Sequence, residues 1–262
     1  MEVTRRVPIG AVAATVALLA TVAALGAACA GTNQESANGP ASSAGSSATT
    51  VPLAPGAEVA GETLERQPVD PALEQQLRAA VLESTSTGCG FERQGTVTMV
   101  DLDGTEVGLT NRHVVAGAPE VALVGPNGSA ATSPVGDVVP QRDAAVVEIR
   151  PADIRALGAT VLEAGLAAAV DDTVVVAGFP DGVFSARTGR VVAREPRTDA
   201  GGVTDVLVID VPAAEGISGG VVVDGSGRAV GLVAARDPET GFTVAYPLDT
   251  VRDATEPGPP AC

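Results

Sequence analysis

Three polar residues of this chain have the types that nucleophilic catalysis requires. His113 is the only histidine among 262 residues, Asp143 lies directly before an apolar stretch, and Ser218 lies among glycines in the segment AAEGISGGVVV. A serine hydroxyl is a strong nucleophile at neutral pH only when a base takes its proton and a third group orients that base. The three residues therefore predict a site in which Asp143 orients His113 and His113 activates Ser218.

The surroundings of these residues sharpen the prediction. Asp137 is a second nearby aspartate, but it falls inside a strand-like run, so Asp143 at the start of a strand is favoured. Glycine permits backbone dihedrals that side chains oppose, which lets two amides point at one position. We expect the amides of Gly216 and Ser218 to form an oxyanion hole. An ordinary Gly-rich hairpin turn is the alternative for this segment.

Short valine-rich runs, punctuated by glycine and proline, must position the site. Residues 71–83 carry apolar side chains at helical spacing and predict a short helix, whereas residues 151–170 predict a connector between two halves. Strands are predicted on both sides of the connector, at 95–100, 105–110, 119–124, 133–139, 144–149, 172–179, 185–194, 203–211, 218–224, 228–235 and 241–246. This pattern favours an all-β fold of two six-stranded antiparallel β-barrels with short N- and C-terminal helices. A β-sandwich also fits the pattern.

The amino-terminal third has the composition of a targeting segment and a linker. Residues 1–28 contain a long uncharged apolar stretch after two arginines, which predicts an export signal or a membrane anchor. The stretch ends in LGAAC and resembles a bacterial lipobox, although its leucine lies one position too early, so Cys29 is a candidate for lipidation. Residues 29–69 are rich in Ser, Ala, Gly and Pro and predict a flexible tether. The folded domain, 70–262, is expected outside the cytoplasm, attached to the membrane or secreted if the signal is cleaved without lipidation.

Charge and cysteine content exclude several functional classes. The net charge is −16, and all 16 basic residues are arginines without a cluster, so a nucleic-acid partner is not expected. One histidine and the absence of a Cys-x-x-Cys motif argue against a metal or other cofactor. Cys89 and Cys262 flank the folded part, and an exported compartment permits a disulfide between them. Two unpaired thiols are the alternative.

Three motifs resemble those of the trypsin-like serine peptidases, especially their bacterial branch. TNRHVV at 110–115 resembles TNxHVV, DAAV at 143–146 resembles DxAV, and GISGG at 216–220 resembles GxSGG, within a similarity that spans about residues 89–262. The strand GFTVAYPL also resembles one in HtrA-type proteases. The flanking cysteines and the GFP segment at 178–180 resemble the periplasmic protease domain of the actinobacterial MarP-type proteases.

The resemblance implies a chymotrypsin-like fold, with barrels at about 89–150 and 171–250, and a serine endopeptidase acting on peptide or protein substrates. It assigns His113, Asp143 and Ser218 as the triad. We expect a monomer. The chain departs from these relatives because it shows neither the multi-helix membrane domain of MarP-type proteins nor the PDZ domain of HtrA proteins. Ile217 and Val221 also replace residues that are frequent in the motif.

Specificity and activity leave further alternatives. Alignment of the motifs places the pocket for the residue before the cleaved bond near Pro212, Val233, Ala234 and Ala235, and the absence of charge there predicts an apolar preference. The main functional alternative is a catalytically idle homologue that binds peptides or an envelope partner. A purely structural lipoprotein would require all three motif matches to be accidental.

Overall fold

The computed structural model describes residues 67–139, 142–199, 202–252 and 262. The chain divides into two units, Met1–Ala60 and Gly61–Cys262, and all described residues belong to the second. The predicted export segment and Cys29 therefore lie outside the described residues. Within the described ranges, no helix has both the length and the apolar character needed to span a bilayer.

The first half of the domain is a closed barrel of six antiparallel strands. The strands are β1 (Val81–Gly88), β2 (Phe91–Leu102), β3 (Thr105–Thr110), β4 (Glu120–Val124), β5 (Ala130–Val139) and β6 (Ala144–Val147). Their order in space is β1, β4, β5, β6, β3 and β2, and pairing of β2 with β1 closes the barrel. A two-residue strand, β7 (Leu162–Glu163), adds to β2 in parallel.

The second half repeats this architecture. Its strands are β8 (Thr173–Gly178), β9 (Ser185–Asp199), β10 (Gly202–Pro212), β11 (Val221–Val223), β12 (Ala229–Arg236) and β13 (Phe242–Pro247). They close in the order β10, β13, β12, β11, β8 and β9. The structure thus confirms the predicted pair of six-stranded antiparallel barrels, which is the chymotrypsin-like fold, and the sandwich alternative is wrong.

Two short α-helices flank the first barrel. In α1 (Pro71–Ala80), the carboxylate of Asp70 accepts hydrogen bonds from the first amides, and proline occupies the first turn. The second helix, α2 (Pro151–Leu157), lies in the predicted connector. A 3-10 turn at Leu248–Thr250 follows the last strand.

The boundary between α1 and the first barrel differs from the sequence prediction. The helix was expected to continue to residue 83, but it ends at Ala80 and Val81 already belongs to β1. The barrel consequently begins before the expected start near residue 89. Val81 lies at a spacing that also fits the apolar face of the helix, so helical periodicity alone could not reveal the boundary.

Small aliphatic side chains fill both barrels. Leu82, Val97, Met99 and Leu123 are fully buried in the first barrel, and Leu207, Ile209 and similar residues occupy the second. β-branched residues suit a pleated surface and pack well in the narrow interior of a six-stranded barrel. The aromatic-poor composition is therefore compatible with two complete cores.

The turn between β1 and β2 carries the predicted disulfide. Cys89 and Gly90 form a two-residue turn in which both have positive φ angles, 56° and 80°. Such turns join twisted antiparallel strands without distorting them. Cys89 is bonded to Cys262, which confirms the predicted pairing and ties the last residue of the chain to the first hairpin.

Candidate active site

His113 lies in the turn that follows β3. The next two residues, Val114 and Val115, are buried in the core of the first barrel and hold this turn in place. The His113 side chain retains 51% of its accessible surface. The barrel core therefore fixes the backbone of this segment while the imidazole ring remains open to solvent and to a substrate.

Asp143 approaches His113 because the strands that carry the two residues are neighbours. Thr110 near the end of β3 pairs with Ala145 at the start of β6, so the residues just outside both strands meet. One carboxylate oxygen of Asp143 accepts a hydrogen bond from the His113 backbone N–H at 2.8 Å, and the other lies 2.5 Å from Nδ1 of the ring. A carboxylate at Nδ1 favours a proton on that nitrogen and leaves Nε2 to act as a base.

The backbone of Asp143 is held as firmly as its side chain. Asn111 is a buried residue of the TNRHVV motif, and its side-chain amide donates a hydrogen bond to the Asp143 backbone carbonyl at 2.7 Å. The Asp143 N–H donates to the hydroxyl of Tyr246 at 3.4 Å. Asn111 belongs to the first barrel and Tyr246 to β13 of the second, so both barrels contact this aspartate.

Ser218 lies in a loop between β10 and β11, which we call the serine loop and define as residues 213–220. Gly216 and Gly219 in this loop have φ angles of +83° and +85°, which residues with a Cβ rarely adopt. A Cβ at Gly219 would also collide with the carbonyl oxygen of Thr96. The predicted need for glycine around Ser218 is therefore explained by both backbone conformation and close approach of the first barrel.

His113 and Ser218 line the same cleft, which has a volume of about 510 Å³. Gly216 also lines the cleft, and no described residue accepts a hydrogen bond from the amides of Gly216 or Ser218. The remaining lining is mainly polar and consists of Glu92, Arg93, Gln94, Val114, Asp181 and Glu215. The structure thus brings together all the residues that the sequence predicted for the catalytic site and the oxyanion hole. Asp137, the competing aspartate, is an exposed residue of β5.

The four residues predicted to form the substrate pocket lie elsewhere. Pro212 ends β10 and is exposed, and on β12 Val233 and Ala234 are buried whereas Ala235 is exposed. Val233 contacts the serine loop through its backbone, which bonds to Gly219 and Gly220. In the described part of the chain none of the four lines the cleft that holds Ser218. Their role in specificity stays a prediction.

Sequence reasoning missed two contacts of the site. Tyr246 is the only tyrosine of the chain, and it lies in the predicted strand 241–246, where an aromatic residue is ordinary. Thr96 lies in the strand pattern GTVTMV, where threonine is an ordinary strand residue. The single occurrence of tyrosine was a weak signal for the first, and no local signal distinguished the second.

Two closed barrels with this cleft define the class of protein, which is a serine peptidase of the chymotrypsin-like fold. The sequence model of the trypsin-like peptidase domain matches residues 94–232. The chain belongs to the trypsin-like peptidase domain family and is by class a serine endopeptidase. No curated protein shows significant sequence similarity to the chain.

Solved structures share this fold at low sequence identity. The active form of the Rv3671c protease from M. tuberculosis is similar with a TM-score of 0.59 and 24% identity, over 77% of this chain and 98% of that one. Its inactive form gives a TM-score of 0.56 and 23% identity over 69% and 92%. The HtrA-type protease AlgW with a tripeptide gives 0.57 and 24%, over 69% of this chain and 60% of that chain. The present chain therefore spans about three fifths of the AlgW chain.

Proposed function

We propose that this protein is an exported, membrane-tethered endopeptidase that hydrolyses peptide bonds through a Ser218–His113–Asp143 triad and an acyl-enzyme. One observation carries the proposal. Both carboxylate oxygens of Asp143 contact His113, and His113 lines the same cleft as Ser218. A third group that orients the base is what activation of a serine requires.

The first half of the reaction forms an ester between enzyme and substrate. Nε2 of His113 takes the Ser218 hydroxyl proton as the oxygen attacks the carbonyl carbon of the peptide bond. Collapse of the tetrahedral intermediate breaks the C–N bond, and His113 gives its proton to the departing amine. In the second half, water attacks the ester, His113 again transfers the proton, and Ser218 is released. The Asp143 carboxylate stabilises the imidazolium that forms in each half.

The amides of Gly216 and Ser218 would stabilise the negative oxygen of the intermediate. An oxyanion hole requires N–H groups that are free to donate, and no described residue accepts a hydrogen bond from these two. Donors that are fixed before the reaction stabilise developing charge without reorganising during it.

Peptides are the proposed substrates. AlgW has been solved with a tripeptide and with a decapeptide, and this chain shares its fold. The substrate residue before the cleaved bond is proposed to be apolar, because Pro212 directly precedes the serine loop, Val233 bonds to that loop through its backbone, and neither they nor Ala234 and Ala235 carry a charge. The sequence of residues 1–28 supports export, and either Cys29 or the apolar stretch would attach the protein to the membrane.

Covalent labelling of the full-length chain tests the proposal. A fluorophosphonate probe should label the wild type and fail to label Ser218→Ala, whereas Ser226→Ala, which alters an exposed serine on a remote turn, should label like the wild type. Hydrolysis of a peptide library by the same three proteins should follow the same order. Equal labelling or turnover in Ser218→Ala would refute the assignment of the nucleophile, and a folded wild type without either reaction would favour the idle peptide-binding homologue.

A further inference from the structure

Thr96 is a buried residue of β2 whose polar groups are directed at the serine loop of the other barrel. Its backbone N–H donates to the carbonyl of Ser218 at 2.9 Å, and its hydroxyl donates to the carbonyl of Gly216 at 2.9 Å. The same hydroxyl accepts a hydrogen bond from the N–H of Phe179 at 3.0 Å. One residue of the first barrel thus holds both residues that are proposed to supply the oxyanion-hole amides.

The position of Thr96 is itself fixed by a hydrogen bond to its backbone carbonyl. The buried hydroxyl of Thr110 donates to the Thr96 carbonyl at 2.8 Å, and Thr96 itself has no exposed surface. A hydroxyl has one proton to donate and accepts readily, so the bonds to Gly216 and Phe179 satisfy it. A satisfied buried hydroxyl restricts its partners more than an exposed one, since water offers no replacement.

The contact with Gly216 falls at the point that sets the geometry of the oxyanion hole. The peptide plane that joins Gly216 to Ile217 lies between the two donor amides along the chain, and its oxygen is the atom that Thr96 binds. Gly216 has a positive φ, so its backbone has access to conformations closed to other residues. Without the Thr96 hydroxyl this plane could rotate, and the two amides would no longer point at one position.

We propose that Thr96 is a positioning residue that holds the Gly216 and Ser218 amides in their catalytic orientation. This inference rests on the proposed function, because it assigns Thr96 a role in the same oxyanion hole. Thr96 does not touch the substrate. It acts across the barrel interface, through the carbonyl groups of Gly216 and Ser218.

Substitutions at Thr96 test this role in the full-length protein. Thr96→Val keeps the shape of the side chain and removes the hydroxyl, and it should lower kcat about 10- to 100-fold while KM changes less than about threefold, since loss of one oxyanion donor costs about 100- to 1000-fold. Binding of a peptide aldehyde, which adds to the serine and places an oxygen in the hole, should weaken by a similar factor. Thr96→Ser restores the hydroxyl and should recover kcat to within about threefold.

Thr243→Val is the matched control. Thr243 is equally buried, and its hydroxyl donates at 2.8 Å to the carbonyl of Val211, which belongs to β10 and not to the serine loop. A purely structural effect of losing one buried hydroxyl should lower the melting temperature in both valine variants and reduce kcat in neither. Wild-type kcat and aldehyde affinity in Thr96→Val, or an equal loss in Thr243→Val, would overturn the inference.

Amide hydrogen exchange separates this inference from the proposed function. Thr96→Val should speed exchange in peptides that cover residues 213–220, and Thr243→Val should not. If the wild type turns over in a Ser218-dependent way and Thr96→Val retains both activity and slow exchange, only the role of Thr96 fails. If the wild type does not hydrolyse peptides at all, the proposed function fails. Unchanged amide exchange of residues 213–220 in Thr96→Val would then also contradict the inference that Thr96 holds the serine loop.

Discussion

Asp143 illustrates how completely one residue can be constrained. Both carboxylate oxygens contact His113, the carbonyl accepts from Asn111, and the N–H donates to Tyr246. Holding the backbone fixes where the carboxylate can reach, and holding the carboxylate fixes the imidazole. The Asp143 carboxylate is therefore held at a defined distance from Nδ1 of His113.

Replacing this charge without changing the shape of the side chain tests its role. Asp143→Asn should reduce kcat by about three to four orders of magnitude, because an amide at this position favours the wrong imidazole tautomer and cannot stabilise the imidazolium. KM should change little, since the side chain does not bind substrate. Steady-state hydrolysis of a fluorogenic peptide measures both values.

Asp137→Asn is the control for this substitution. Asp137 is an exposed aspartate of the same barrel, so its loss removes the same formal charge from the molecule without touching His113. We expect wild-type kinetics for it. A comparable decrease in the two variants would show that Asp143 acts through general electrostatics rather than through the ring it contacts.

The sequence pointed to the candidate catalytic residues more readily than to the residues that support them. His113, Asp143 and Ser218 each lie in a short sequence motif, whose neighbouring residues specify the local turn. Thr96 and Tyr246 act through contacts between strands that are distant in sequence, and threonine and tyrosine are ordinary residue types in a barrel strand. The assignment of the pocket residues stays a prediction, because a register shift between Val233 and Ala235 interrupts the alternation of side chains from which their facing would be inferred.

At the level of elements, the strands were predictable because alternation and turn residues mark them. The exception is β1, whose first residue continues the apolar spacing of α1 without an intervening turn. Tertiary pairing decides the conformation there: β1 pairs with β2 along its whole length and with β4, which satisfies its backbone groups as a strand. Local sequence does not contain that information.

The turn between β12 and β13 is stabilised by one carboxylate. Asp237 is buried, and it accepts hydrogen bonds from the N–H and the hydroxyl of Thr240 while Arg197 on β9 contacts its other oxygen at 2.5 Å. The hydrogen bonds from Thr240, followed by the contact with Arg197, hold the pKa of Asp237 far below its ordinary range. The folded state therefore favours the ionised form much more than the unfolded state does.

This linkage predicts how Asp237→Asn depends on pH. A depressed pKa contributes stability that is fully present above the ordinary aspartate pKa of about 4 and is lost as pH falls toward the folded-state value. Asp237→Asn should therefore lower the melting temperature most at neutral pH, and the difference from wild type should shrink steadily below about pH 4. Thermal unfolding from pH 7 to pH 3 measures it. A difference that stays constant over this range would mean that the charge of Asp237 does not stabilise the turn.

On the scale of the whole molecule, the groups proposed for catalysis come from both barrels. The first barrel supplies His113 and Asp143, and the second supplies Ser218. Thr96 and Tyr246 each reach from one barrel to a residue of the other. The site is therefore sensitive to anything that loosens the domain as a whole.

The disulfide between Cys89 and Cys262 is the longest covalent constraint on that domain, since it joins residues 173 positions apart. Closing a loop of this length restricts the unfolded chain, and chain-entropy reasoning gives at most about 5 kcal/mol for the free energy of unfolding. For a domain of this size, each kcal/mol corresponds to about 2–4 °C in melting temperature. Reduction of the wild type, or replacement of both cysteines by serine, should therefore lower the melting temperature by up to about 10–20 °C.

Two controls distinguish the bond from other effects of reductant and of cysteine removal. The Cys89→Ser, Cys262→Ser double variant should melt at the same temperature with and without reductant, because no bond remains to be reduced. Cys29→Ser removes the third cysteine, which lies outside the folded domain by sequence, and should behave like the wild type in both conditions. Melting curves of the wild type that coincide with and without reductant, under conditions where thiol titration shows the bond to be open, would mean that the two barrels and their contacts hold the domain together unaided.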